Sequence, residues 1–129
     1  MTMRLPLFAL LSLVLTSGAH AQEAPQILTI TLSSYAFTPS AIALKAGTPV
    51  RLHLVNSAGK SHSFMAREFF AASTVAAEDQ AKLRNGEIEL NDGESLDVTV
   101  TPAQPGAYPL KCTHFMHSAL GMTGTITVQ

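Results

Sequence analysis

Only one cysteine, Cys112, occurs in this chain of 129 residues, and charged residues make up just 13% of it. A lone cysteine cannot close an internal disulfide, so the fold must be held without a covalent cross-link inside the chain. Without the N-terminal leader described below, seven Lys and Arg stand against nine Asp and Glu, a net charge of −2 with histidines neutral. So weak a field attracts neither nucleic acid nor an anionic membrane surface, and neither is expected as a partner. Beyond residue 21 no stretch approaches the roughly 20 apolar residues of a membrane crossing, so no membrane insertion is expected. Repeats and low-complexity segments are missing. So are a nucleophile–base pair and a phosphate-cradling glycine loop, which leaves a hydrolase or a nucleotide enzyme without support.

What the chain does have begins at its N-terminus. Residues 1–21 place Arg4 before an apolar run from Leu5 to Leu15 and end in the small-residue sequence Ala19-His20-Ala21, the pattern of a secretory signal peptide cleaved before Gln22. The mature chain is therefore expected to be a soluble protein of the bacterial periplasm. In an oxidising compartment an exposed free thiol would oxidise or cross-link two chains, so Cys112 needs burial or a metal. Within ten residues downstream stand His114, Met116, His117 and Met122. Thiolate, imidazole and thioether together are soft donors that suit copper far better than magnesium, calcium or manganese.

The remaining 108 or so residues form one domain of ordinary size. Their dominant signal is alternation with period two, the mark of strands with one buried face. Leu28, Ile30 and Leu32 alternate with threonines. Ile42 and Leu44 follow, then Val50, Leu52 and Leu54 against Arg51 and His53. Ile88 and Leu90 alternate with Glu87 and Glu89, and Leu96, Val98 and Val100 with Asp97, Thr99 and Thr101. Turn-forming residues fall between the runs, as at Gly47-Thr48-Pro49, Asn85-Gly86 and Asn91-Asp92-Gly93. Seven or eight short strands so punctuated predict an all-β, Greek-key β-sandwich. The exception is Arg67 to Arg84, where alanines, Glu78, Gln80, Lys82 and Leu83 favour helix until Asn85-Gly86 ends it. One short helical insertion is predicted there, a solvated connection over the sandwich edge anchored by Phe69 and Phe70.

The same alternation aims the donors. Leu110 and Tyr108 share a face with Cys112, and Ile126 and Val128 share one with Met122, so both sulfurs point toward the core at neighbouring strand ends. The loop between them carries His117 across the end of the sandwich. A blue-copper type of site takes one thiolate, two imidazoles and a weak axial thioether, so a second imidazole must come from upstream. His53 lies on the outward face of its strand, opposite Leu52 and Leu54, and reads as a solvated surface residue. His62 shares a face with Phe64 and is the upstream imidazole aimed inward. Only Thr113 separates His114 from Cys112, a gap that would force the chain back on itself, and Met116 lacks the inward alternation of Met122. With Phe115, Ala119 and Leu120 these two read as an apolar rim.

These features resemble the cupredoxins, the small blue copper proteins that include azurin, plastocyanin and pseudoazurin. The resemblance spans residues 22–129: the Tyr35-Ala36-Phe37-Thr38-Pro39 opening, the Lys45-Ala46-Gly47-Thr48 turn, the connection from Asn56 to His62, the Pro105-Gly106-Ala107-Tyr108 approach, and the ending from Cys112 through His117-Ser118-Ala119-Leu120 to Gly121-Met122-Thr123-Gly124. It implies a cupredoxin-like copper-binding domain in which His62, Cys112 and His117 are equatorial ligands of one copper ion and Met122 the axial one. Two departures stand out. Azurins carry a disulfide that a single cysteine cannot form, and Ser63 follows His62 where many relatives have Asn.

The resemblance further implies a monomeric, non-enzymatic carrier that cycles Cu(I)/Cu(II) and passes single electrons between redox partner proteins, a cytochrome or an oxidase or reductase. The alternative is a periplasmic copper carrier or copper-tolerance protein that binds Cu(I) for delivery or sequestration, for which His114, Met116 and Met65 offer additional soft donors. A zinc site would gain little from a methionine. A dinuclear copper centre would need a second bridging cysteine.

Overall fold

The computed structural model describes residues 17–19 and 23–129. The leader expected over residues 1–21 lies outside them apart from 17–19. No helix among the described residues is long and apolar enough to cross a membrane.

Among the described residues ten strands form two sheets, and the buried face of the longer strands follows the alternation in the sequence. The strands are β1 (Gln26–Ser33), β2 (Ala36–Thr38), β3 (Ala41–Leu44), β4 (Val50–Asn56), β5 (His62–Met65), β6 (Ser73–Val75), β7 (Glu87–Leu90), β8 (Ser95–Pro102), β9 (Gly106–Lys111) and β10 (Thr123–Val128). One sheet runs β2-β1-β4-β8-β6 and the other β3-β10-β9-β5-β7. Neighbours are antiparallel except for β1 with β4 and β3 with β10, which are parallel. The predicted all-β sandwich is the fold observed. The two strands beyond the predicted seven or eight are β2 and β6, each three residues long and too short to show a period.

The two inner faces make the core. Ile30, Leu32, Leu52, Leu54, Val98 and Val100 from the first sheet meet Ile42, Phe64, Ile88, Leu90, Leu110 and Ile126 from the second. Phe64 packs edge-on against Phe37 and Phe70, with ring centroids 5.8 and 6.2 Å apart, so aromatic geometry adds to the area removed from water. His53 stands half exposed on β4 and pairs with Asp97 across the ladder at 2.6 Å, in keeping with the outward face expected for it.

The segment from Arg67 to Arg84 departs from a single helical insertion. It holds a five-residue helix, α1 (Arg67–Ala71), then edge strand β6, then a 3-10 helix at Ala77–Lys82. Helical propensity is a weak prior that tertiary partners override. Here Thr74 and Val75, both β-branched, pair with Thr101 and Val100 of β8. The Asp79 carboxylate is buried, where it accepts from the Thr99 N–H at 2.8 Å and from Lys82 at 2.7 Å, tying the 3-10 turn to β8. Phe69 and Phe70 are buried as expected. At the predicted turn, Gly86 has φ of +76°, and a Cβ there would lie 2.5 Å from the Arg67 Cα. Only glycine fits that approach.

Candidate metal centre

Strand order delivers the donors to one end of the second sheet. Strand β5 lies between β7 and β9, so His62 at the start of β5 is beside Cys112, the residue after β9. Strand β10 pairs with β9 on the other side and starts one residue after Met122. The 112–122 loop is closed at its base by Cys112 N–H donating to the Met122 carbonyl at 3.1 Å and Met122 N–H to the His117 carbonyl at 3.0 Å. His117 is thereby folded back over the sandwich end.

The structure brings His62, Cys112 and His117 together, with one potential ligand atom from each lying within 4.8 Å of the others. The Cys112 Sγ is 3.4 Å from His117 Nδ1 and 3.9 Å from His62 Nδ1, and the two Nδ1 atoms are 3.1 Å apart. His62 is 0% exposed, Cys112 1% and His117 9%. Met122, also fully buried, belongs to the apolar core around them. A thiolate and two imidazole nitrogens facing one another, with no carboxylate among them, make a donor set that fits copper.

The orientation of each donor has a cause. On the far side of the His62 ring, Nε2 is 3.2 Å from Ser34 Oγ. With Nε2–H donating to that hydroxyl, Nδ1 is left as a lone pair aimed inward, the outer hydrogen bond fixing the tautomer of a metal-binding histidine. Tyr35 lies against His117 with ring centroids 4.9 Å apart, and its hydroxyl accepts from Lys60 Nζ at 3.1 Å. Ser63 braces the two ligand segments. Its N–H donates to Cys112 Sγ at 3.4 Å, and its hydroxyl oxygen accepts from the Thr113 N–H at 2.9 Å.

His114 and Met116 sit at the rim, as expected. The His114 ring stacks on His117, with centroids 5.3 Å apart and an 18° tilt, while its Nε2 faces Glu89 Oε1 at 2.7 Å. Met116 is 51% exposed, beside Phe115 at 91% and Leu120 at 55%. Sequence reasoning missed Ser34, the ring contact of Tyr35, and the reach of Glu87 and Glu89 to the loop. Alternation shows which way a side chain points, and these contacts are set by which strands become neighbours.

Burial lowers the pKa of both His62 and His117 below the ordinary histidine value. Charge repulsion lowers it further, from His117, His114 and Lys60 for His62 and from His114 and Lys60 for His117. The unfolded chain therefore takes up protons first as pH falls. Stability is fully present above about pH 6.5 and declines below it until the folded histidines themselves protonate. We expect the urea midpoint of the metal-free protein to drop between about pH 7.5 and about pH 5. An unchanged midpoint over that range would contradict burial of neutral imidazoles.

Comparison with known proteins agrees with this geometry. Residues 6–128 match the family model described as a cupredoxin-like domain. The chain is a cupredoxin. Auracyanin B superposes with a TM-score of 0.61 at 30% identity, over 84% of this chain and 93% of that one. Two other structures share the fold at lower identity. Auracyanin A, a "blue" copper protein from Chloroflexus aurantiacus, gives a TM-score of 0.59 at 22% identity over 82% of this chain and all of its own. A multicopper oxidase from Campylobacter jejuni gives 0.62 at 16% identity, over 84% of this chain and 31% of the oxidase. No curated protein matches. This cupredoxin is a copper protein whose His62, Cys112 and His117 cluster fits one copper ion.

Proposed function

We propose that this cupredoxin is a periplasmic type 1 copper protein that passes single electrons between redox partners, with His62, Cys112 and His117 as equatorial ligands and Met122 as the axial donor. The observation that carries this reading is the convergence of one cysteine sulfur and two imidazole nitrogens in a buried cluster at the end of the core. Copper bound there supplies a one-electron Cu(II)/Cu(I) couple. The chain's task is to hold the donors still while the charge changes. Ser34 fixes the His62 ring, Tyr35 and His114 flank His117, and Ser63 holds the sulfur. The donor set leaves no evident open position for a substrate, which favours electron transfer over catalysis.

His117, at 9% exposure, is the most exposed of these ligands, and Phe115, Met116 and Leu120 of the same loop present exposed apolar surface. That rim suits a brief contact with a cytochrome or an oxidase or reductase. A monomer is the working state that leaves it free.

Copper loading tests the proposal. The Cu(II) form is expected to be intensely coloured by charge transfer from the Cys112 thiolate, and to keep its copper in competition with a Cu(I) chelator after reduction. A colourless Cu(II) adduct would overturn the site. Ready surrender of Cu(I) by a coloured protein would favour the copper-carrier reading, which the exposed Met116 thioether supports.

A further inference from the structure

Glu87, on the outer face of β7, reaches the 112–122 loop. The Thr113 hydroxyl donates to Glu87 Oε1 at 2.7 Å. Thr113 Oγ1 also lies 2.9 Å from Ser63 Oγ, and Ser63 Oγ lies 3.8 Å from Cys112 Sγ. A hydroxyl has one proton and an ionised carboxylate has none to give. The Thr113 proton is therefore committed to Glu87, and the contact between the two hydroxyls must use the proton of Ser63. The Ser63 hydroxyl is also in range to donate to the sulfur at 3.8 Å, but the Thr113 oxygen at 2.9 Å is the nearer and stronger acceptor and competes for its one proton. With the Ser63 proton drawn to Thr113, the Ser63 N–H is the donor left to the sulfur within this bonded set.

We propose that Glu87 is a positioning residue for the copper centre, whose carboxylate sets the direction of a Thr113–Ser63 hydroxyl relay and so withholds a hydrogen bond from the Cys112 sulfur. This inference rests on copper binding at that sulfur. A hydrogen bond to a metal-bound thiolate draws electron density from it and favours Cu(I), so its absence keeps the reduction potential low. Without the carboxylate, the Thr113 proton turns to Ser63 Oγ and the Ser63 proton turns to sulfur.

The test uses the copper-loaded mature protein, with reduction potential and the thiolate-to-copper band as readouts. Glu87→Ala is expected to shift the Cu(I):Cu(II) affinity ratio about threefold to tenfold toward Cu(I), the worth of one net hydrogen bond. For a one-electron couple this is on the order of 30–60 mV positive, with the band moving to higher energy. Thr113→Val also frees the Ser63 hydroxyl and should reproduce the shift with no change of charge. Because Thr113 is exposed, this variant carries the test if Glu87→Ala fails to fold. In a Ser63→Ala background, which has no hydroxyl to redirect, Glu87→Ala should leave the potential nearly unmoved. A shift that persists there is the through-space effect of the lost charge and overturns the relay. An unchanged potential in both single variants overturns it as well. Wild-type protein that takes up Cu(II) without a charge-transfer band would instead overturn the copper site itself.

Discussion

His117→Ala is expected to abolish the thiolate-to-copper colour and to weaken copper binding by at least about 100-fold, whereas His114→Ala keeps the colour. Loss of a group that merely supports a ligand costs about 10- to 100-fold in metal affinity, and loss of the ligand itself exceeds that. The contrast between the two imidazoles is geometric. His117 Nδ1 faces the Cys112 sulfur at 3.4 Å and His62 Nδ1 at 3.1 Å. The His114 ring lies outside it, parallel to the His117 ring, and its Nε2 is directed to Glu89. Absorption spectra of the three copper-loaded proteins decide the matter. A coloured His117→Ala beside a colourless His114→Ala would reverse the assignment.

Asn56 governs the second large effect, because it shapes the approach to His62 from a fully buried position. Its Nδ2 shares two hydrogens among three carbonyls, those of Lys60 at 2.9 Å and of Leu90 and Asn91 at 3.1 Å each. Its Oδ1 accepts the Ala58 N–H at 3.1 Å. One side chain thus organises residues 57–61 and pins them to the end of β7. Asn56→Asp keeps the shape but replaces the donor with an acceptor, aiming a buried carboxylate at carbonyl oxygens. Such an unpaired polar group costs about 1–3 kcal/mol, and more when charged. We expect a loss on the order of 3 kcal/mol or greater for Asn56→Asp, at least as large as for Asn56→Ala, with weaker copper binding through a displaced His62. Urea denaturation of the metal-free proteins measures it. If Asn56→Asp were as stable as the parent, the carbonyl clamp would not be what holds this loop.

The sandwich was legible in the sequence because burial on one face of a strand leaves a period of two. The same pattern separated His62 from His53 and turned Cys112 and Met122 inward, while the meeting of His62, Cys112 and His117 depends on which strands lie side by side. Two things were not legible. Between Arg67 and Arg84 the residues favour helix locally, and the outcome was decided by pairing of Thr74 and Val75 with β8 and by the buried Asp79 carboxylate on the Thr99 amide. Around the sulfur, Ser34, Ser63 and Glu87 act through neighbours 26 to 49 positions away in the chain. Register supplies those meetings, and no local pattern encodes them.

The backbone hydrogen bonds that tie residue 112 to 122 and residue 122 to 117 have a further consequence. They make the intervening peptide a cassette with two fixed ends, seated on strands whose pairing is complete without it. A change of length or composition between those ends leaves the β9–β10 ladder beneath it in register.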